Sequence, residues 1–152
     1  MNSKDAAESR FQNGYSCSQS VFSALAERWN IGPDVSLRVS AGFGGGIARS
    51  AGICGCVTGG IMALGLAQPG TSPEENRSAK EKTLEVCRQF MQTFQEHNGS
   101  TVCSELLGCD ISTPEGLAVH RQGVHRERCT SLVRDAVEIV ESILAAAPGS
   151  GC

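Results

Sequence analysis

The chain has 152 residues, a formal net charge of −3 at pH 7, 5% aromatic residues and eight cysteines. Acidic and basic residues are interspersed, which argues against nucleic acid or an anionic membrane as a partner. The N-terminal segment does not resemble a secretory signal and no apolar run approaches the roughly 20 residues that span a bilayer, so we expect a cytoplasmic protein without membrane insertion.

The predicted elements are all helical, because no segment shows the apolar–polar alternation of a strand. In chain order, helices are expected over residues 3–12, 17–30, 34–41, 54–67, 73–97 and 101–107, then a turn or two after Thr113, and finally over residues 126–147. We therefore predict an all-α fold: one compact domain of five to seven helices over residues 1–147. A Gly-rich loop precedes its small-residue central helix, and residues 148–152 are expected to form a flexible tail.

Four cysteines from four separate segments fall at predicted helix N-termini. Cys17 and Cys54 open their helices, while Cys103 and Cys129 lie in the first turns of theirs. Unpaired N–H groups and the positive end of the helix dipole stabilise negative charge there and lower the pKa of a cysteine. If these helix ends converge, their thiolates make one site for a metal, an anionic iron–sulfur cluster or redox chemistry.

The remaining cysteines are weaker candidates. Cys56 could chelate together with Cys54, and Cys109 is a further candidate for the same site. Cys87 lies in mid-helix and is interpreted as a packed core residue, and Cys152 is expected to be inert. The histidines lack a metal-binding i, i+4 spacing and are interpreted as exposed helix or loop residues: His97, His120 and His125.

The glycine-rich stretch from Gly42 to Gly46 matches neither the dinucleotide-binding fingerprint nor the phosphate-binding loop. It indicates instead a loop that adopts positive φ or approaches another group closely. Arg49 and nearby N–H groups could stabilise an anionic centre or substrate, and the glycine-rich helix that follows requires close packing on its neighbours. The residues expected to line the site are Gly44, Gly45, Gly46, Arg49, Gly55 and Gly59.

Four blocks of the sequence resemble a single known family. They are NGYSCSQSVF (13–22), AGFGGGIARSAGICGCVTGGIMALGL (41–66), GSTVCSELLGCD (99–110) and RCTSLVRDAVEIVESIL (128–144). Together they resemble the redox-active protein family named for its C_GCAxxG_C_C cysteine pattern, over nearly the whole chain. The middle block is the most specific part of the resemblance.

The resemblance implies which cysteines and glycines form the family motif: Cys17, Cys54, Cys103 and Cys129, with Gly55 and Gly59. Cys56 stands where the family pattern has alanine, and laying the motif on residues 55–60 would make Cys56 the family cysteine. The run SAGICG favours the alignment through Cys54. The resemblance also implies redox activity and, from related domains, an iron–sulfur centre, but no defined reaction.

These observations favour a redox protein that binds an iron–sulfur cluster for electron transfer or small-molecule redox chemistry. One alternative is a metal-free thiol–disulfide oxidoreductase that cycles Cys54 with Cys17 or Cys103. Another is a helical thiolate module that binds zinc or copper(I). The expected partner is an electron donor or acceptor or a small molecule. The sequence leaves open its identity, the catalytic residue and the oligomeric state, for which a homodimer is one alternative.

Overall fold

The computed structural model of the chain describes residues 1–146, and these are helices joined by loops. The eight α-helices of this part are α1 (Ser3–Gln12), α2 (Cys17–Ala26), α3 (Pro33–Ser40), α4 (Gly55–Leu66), α5 (Pro73–Asn98), α6 (Cys103–Leu107), α7 (Pro114–Arg121) and α8 (Arg126–Ala146). No strand occurs in residues 1–146, where the only β-pairing is an isolated antiparallel bridge between Ile53 and Val102. The predicted all-α class is confirmed. The eight helices exceed the expected five to seven because α7 is a full helix rather than a turn or two. The flexible tail predicted over residues 148–152 lies outside the described residues.

Several helix boundaries follow the local signals of the sequence. The side chain of Ser16 caps α2, and Gln19 returns a hydrogen bond to the Ser16 N–H, forming a capping box. Ser72 caps α5 ahead of Pro73, and Gly99 ends that helix with a φ of 94°. Capping chemistry therefore explains where both helices begin and where α5 stops.

The end of α2 and the start of α3 differ from the sequence prediction for local reasons. The α-helical part of α2 stops at Ala26, because the chain tightens into a 3₁₀ turn over Glu27–Trp29 and then reverses at Asn30, whose φ is 59°. Asn tolerates this left-handed conformation better than most residues. α3 has Gly32 at its N-cap, so Asp34, where the helix was expected to start, lies inside its first turn.

Helix α2 is the centre of the packing, since it contacts α1, α3, α4 and α8. Eight of its ten residues are buried, including the hydroxyls of three serines. Ser18 donates to the carbonyl of Ser40 at 2.9 Å, and Ser20 donates to the carbonyl of Ser16 at 2.8 Å. These hydrogen bonds satisfy buried polar groups that would otherwise destabilise the core. The helix that carries Cys17 is thus fixed on all sides.

Glycines let α4 approach two neighbouring helices closely. A Cβ atom added at Gly59 would lie 3.0 Å from the carbonyl oxygen of Ser18 in α2. One added at Gly60 would lie 2.4 Å from the ring of Phe90 in α5. Real Cβ atoms essentially never show a contact as short as that between the Cβ added at Gly60 and the Phe90 ring. The close helix–helix packing expected from the sequence is therefore present.

The long helix α5 packs mainly through its C-terminal half. Phe90 and Phe94 are fully buried, whereas Leu84 on the predicted apolar face is 43% exposed. Cys87 is half-buried at the edge of the main core, which agrees with its interpretation as a packing residue. Neither α5 nor another helix of residues 1–146 has the length and apolar character that crossing a membrane requires.

Candidate functional site

A cavity of about 690 Å³ lies where the N-terminal ends of α2, α4, α6 and α8 meet the glycine-rich loop. Four cysteines line it, one from each of these helix ends: Cys17, Cys54, Cys103 and Cys129. They are the four that the sequence selected. A larger surface groove of about 1100 Å³ runs along α8, but no cysteine lines it. The thiol-lined cavity is therefore the candidate site.

Cys17 is held at the first position of α2 by the capping box and by its contact with α4. The Ser16 hydroxyl accepts a hydrogen bond from the N–H of Gln19 at 3.3 Å, which fixes the helix start beside Cys17. A Cβ atom added at Gly55 would lie 3.2 Å from the Cβ of Cys17 and 2.8 Å from the N of Ser18. Only glycine at this position allows the two helix ends to come this close.

Cys54 and Cys103 are brought together by the isolated β-bridge. The N–H of Cys54 donates to the carbonyl of Thr101 at 2.8 Å, and the N–H of Cys103 donates to the carbonyl of Gly52 at 2.7 Å. Cys103 lies in the first turn of α6, as predicted, but the helix begins at this residue rather than at residue 101. Cys54, predicted to open α4, is the N-cap of that helix. The bridge thus couples two chain segments about fifty residues apart.

Cys129 lies in the first turn of α8, where its N–H donates to the carbonyl of His125 at 2.9 Å. The neighbouring Arg128 reaches away from the cavity, and its guanidinium donates to the carbonyl of Asn98 at the end of α5 at 2.9 Å. A cation at a helix C-terminus satisfies free carbonyls and opposes the negative end of the dipole. This contact anchors the start of α8 and so positions Cys129.

The pKa values of the thiols around Cys17 are shifted in opposite directions. Interactions with the Cys129 thiol, and next with the Cys56 thiol, hold the pKa of Cys17 well below its usual value despite its burial. The interaction with Cys17, followed by burial, raises the pKa of Cys129. Burial, followed by the thiols of Cys17 and Cys54, raises the pKa of Cys56. One thiolate at Cys17, flanked by protonated neighbours, is the arrangement that these shifts favour.

Cys56 and Cys109 take different places relative to the cavity. Cys56 is fully buried behind it, against Cys17 and Cys54, and does not line it. Cys109 faces away, and its thiol donates to the carbonyl of Gly116 at 3.6 Å.

Burial, followed by the charges of neighbouring cysteines, raises the pKa of Cys103 to about 12. All seven cysteines within residues 1–146 are free thiols.

The thiols are not arranged around a single point. Within residues 1–146, no group of three or more His, Cys, Asp or Glu side chains is placed so that it could hold one metal ion. Four cysteines nevertheless line the same cavity. Thiolate sulfur is the donor that iron–sulfur clusters share with soft ions such as zinc and copper(I).

The glycine-rich loop forms a left-handed turn. Five consecutive residues, 45–49, have φ angles of 66°, 72°, 69°, 50° and 59°, and the turn is closed by hydrogen bonds such as that from the N–H of Ala48 to the carbonyl of Gly42 at 2.8 Å. Gly45 and Gly46 adopt this conformation freely, but Ile47 and Arg49 do so at a cost of about 1–2 kcal/mol each. Such strain persists only where the surroundings impose it and is common at functional sites.

The expected glycine lining is present in part. Gly44, Gly45, Gly46 and Gly55 line the cavity together with Arg49, whereas Gly59 lies deeper in the contact between α4 and α2. Gly59 therefore acts through helix packing rather than by facing the cavity. The positive φ expected in this loop is confirmed at Gly45 and Gly46.

Basic residues that the sequence reasoning did not select also line the cavity: His120, Arg121 and Arg126. The Nδ1 atoms of His120 and His125 lie 3.0 Å apart, and their rings are stacked. Burial, followed by His125 and Arg49, lowers the pKa of His120, while Cys17 acts in the opposite direction. The i, i+5 spacing of the two histidines spans the turn between α7 and α8, so no helical periodicity could reveal their contact. His97 is exposed and pairs with Asp135 instead.

Comparison with known proteins is consistent with this site. The family model described as "Putative redox-active protein (C_GCAxxG_C_C)" matches residues 15–143. A protein of Archaeoglobus fulgidus described as "Uncharacterized protein" is 32% identical over 135 residues, which cover 84% of this chain and 83% of the relative. A comparison with solved structures found no match.

Proposed function

Since the chain belongs to the C_GCAxxG_C_C family of putative redox-active proteins, we propose that it is a redox protein whose cysteine cavity holds an iron–sulfur cluster. One observation carries this proposal: four cysteines from four separate helix ends line a single cavity of about 690 Å³. Structural packing alone would not require thiols at all four positions, because a free cysteine packs as a small hydrophobe.

In this proposal Cys17, Cys54, Cys103 and Cys129 are the cluster ligands. An iron–sulfur cluster bound there would supply an electron carrier. Cys17 is the first residue of α2, so the positive end of that helix dipole would favour a negatively charged sulfur there. Cys56 is buried behind the cavity and would limit movement of the Cys17 side chain away from it.

The test is anaerobic purification or reconstitution followed by iron analysis, acid-labile sulfide analysis and absorbance spectroscopy. We expect iron and sulfide in equal amounts with a visible charge-transfer band. Each of the variants Cys17→Ser, Cys54→Ser, Cys103→Ser and Cys129→Ser should lower iron content and change the spectrum, whereas Cys87→Ser and Cys109→Ser should not. A chain that binds neither iron nor sulfide under these conditions would refute the cluster proposal.

A second candidate is a metal-free dithiol cycle, which the thiolate at Cys17 between Cys129 and Cys56 favours. The Cys17 thiolate would attack a partner disulfide, forming a mixed disulfide and releasing one partner thiolate. The Cys129 or Cys56 thiol would then lose its proton and attack the Cys17 sulfur. An internal disulfide forms, the second partner thiolate leaves with that proton, and two electrons have passed to the partner.

The two candidates differ in what oxidation does to the metal-free chain. The dithiol cycle predicts reversible loss of two thiols and a disulfide that links Cys17 to Cys129 or Cys56, identified by peptide mass spectrometry. Cys17→Ser should abolish this loss and Cys87→Ser should leave it unchanged. If no cysteine pair changes state reversibly, the dithiol cycle is wrong, independently of the cluster result.

A further inference from the structure

The thiol-lined cavity has positive side chains and no carboxylate in its wall. Its basic residues are Arg49, His120, Arg121 and Arg126. No Asp or Glu is among the lining residues, although the whole chain has a net charge of −3. Three guanidinium groups line this concave site against the single thiolate that is favoured at Cys17. A cleft lined mainly by charges of one sign concentrates ions of the opposite sign. The residues of the cavity wall therefore favour the binding of anions, although the protein as a whole is negatively charged.

The cavity arginines are not neutralised by neighbouring acids. The Lys and Arg residues that form ion pairs within residues 1–146 are Lys4, Arg10, Arg38, Lys82 and Arg134. Arg49, Arg121 and Arg126 are not among them. The carboxylate of Asp110, close to this region in the chain, accepts hydrogen bonds from Ser112 instead. The guanidinium of Arg126 donates to the carbonyl of Gln12 at 3.3 Å. Those of Arg49 and Arg121 make no hydrogen bond within residues 1–146, so they keep the donors with which arginine binds oxyanions in bidentate geometry.

Arg49 and Arg121 stand at the solvent end of the cavity. Both are exposed, whereas Cys54, Cys103 and Cys129 behind them are buried. The same two arginines also line an adjoining cleft of about 430 Å³ beside the start of α7. Arg49 and Arg121 are therefore shared by the thiol-lined cavity and the cleft beside it.

The glycine-rich loop adds backbone donors to the same wall. The N–H groups of Gly44, Gly45 and Gly46 make no hydrogen bond to another group of residues 1–146, and all three residues line the cavity. Successive free N–H groups in a turn form anion-binding concavities. The N–H of Arg49 donates to the carbonyl of Gly44 at 3.0 Å, which holds the arginine backbone in its left-handed conformation. Arg49 is therefore placed on the wall before any ligand binds.

We propose that this cavity binds a small anionic molecule whose oxyanion group, a phosphate, sulfonate or carboxylate, is held by Arg49 and Arg121 at the solvent end. Its volume lies within the range of about 300–1000 Å³ that is usual for small-molecule sites. The inference rests on the proposed function in taking this cavity as the redox site. The binding itself requires neither a cluster nor a disulfide.

Two alkylating reagents of nearly equal size test the inference, because iodoacetate is an anion and iodoacetamide is neutral. Both are applied to the reduced, metal-free full chain, and mass spectrometry gives the modification rate of each cysteine. Cys17 in the cavity is compared with Cys87 outside it, since both are half-buried. We expect the iodoacetate-to-iodoacetamide rate ratio to be about fivefold higher at Cys17 than at Cys87, as attraction by two guanidinium charges predicts.

Arginine variants identify the source of this preference. The double variant Arg49→Gln/Arg121→Gln should bring the ratio at Cys17 down to that at Cys87, and Arg49→Lys/Arg121→Lys should retain most of it. The control Arg38→Gln/Arg77→Gln removes the same charge from exposed positions outside the cavity and should change nothing. A ratio at Cys17 that is unchanged in the glutamine double variant would overturn the inference.

Inorganic phosphate separates a bound anion from a diffuse field. Phosphate should slow the reaction of iodoacetate with Cys17 more than sodium chloride at equal ionic strength, because chloride only screens the field. If the two salts act equally, no anion site exists and the inference fails. These readouts do not depend on iron, sulfide or disulfide formation. The proposed function can therefore be refuted while the anion site is supported, and the anion site can be refuted while the proposed function is supported.

Discussion

Replacing Gly55 by alanine should destabilise the protein and disturb Cys17. The new Cβ atom would lie 2.8 Å from the backbone N of Ser18, whereas ordinary van der Waals contact begins at 3.4 Å. A backbone atom cannot rotate aside, so α2 would have to move away from α4. Such overpacking costs about 1–3 kcal/mol. Alanine returns at most about 1 kcal/mol of helix propensity. With the full return, we therefore expect a net loss of up to about 2 kcal/mol in the free energy of unfolding.

Gly65→Ala is the matched control, because it makes the same change in the same helix. No heavy atom lies within 4 Å of a Cβ added at Gly65, so only the propensity gain remains. That variant should gain up to about 1 kcal/mol. Guanidinium chloride unfolding of the reduced, metal-free chain, followed by far-ultraviolet circular dichroism, measures both. Equal stability of the Gly55 and Gly65 variants would refute the argument that close approach explains Gly55.

Three further predictions concern the loop, the cap and the thiolate. Gly46→Ala should lower the free energy of unfolding by about 1–3 kcal/mol, since the φ of Gly46 is 72° and the backbone N of Gly52 lies 2.6 Å from the added Cβ. The control Gly42→Ala adds a Cβ in open space and should change that free energy by less than about 0.5 kcal/mol. Ser16→Ala should lose the α2 cap and lower the thermal midpoint by about 2–4 °C, and an unchanged midpoint would contradict the capping argument. In the metal-free chain, the neighbouring thiols lower the pKa of Cys17, so its alkylation rate should reach its plateau at a lower pH than that of Cys87, whose pKa is raised by burial. The rate at Cys103, with a pKa of about 12, should rise with pH throughout. A Cys17 rate that reaches its plateau no earlier than that of Cys87 would show that the thiolate is elsewhere.

The sequence predicts the helices and the four cavity cysteines because both depend on local chemistry. Cap residues and helix-ending glycines act within a few residues of their positions, so the starts of α2 and α5 can be read directly. The selection of Cys17, Cys54, Cys103 and Cys129 rested on their places at helix N-termini, and each place needs only the boundary of its own helix. Convergence of the four ends in one cavity was an expectation, and the structure shows them together.

What the sequence could not predict depends on contacts between distant segments or on unfavourable conformations. The left-handed turn includes Ile47 and Arg49, residue types that disfavour positive φ, so nothing in their identity signals it. His120 and Arg121 reach the cavity only because α7 packs beside the glycine-rich loop. The place of Cys56 behind the cavity likewise follows from the packing of α4 on α2, which no spacing within Cys-Gly-Cys reveals.

The two features that weaken the chain locally both lie against the cysteine cavity. Helix α4 contains glycines that lower its intrinsic stability, and the loop before it holds non-glycine residues in a left-handed conformation. Either feature alone could be a packing solution elsewhere in a protein. Here the glycine at position 55 lets Cys17 approach α4, and the loop sets Arg49 and free N–H groups on the wall beside the thiols. A fold selected only for stability would have replaced both, so their coincidence at one cavity argues that this cavity is where the protein acts.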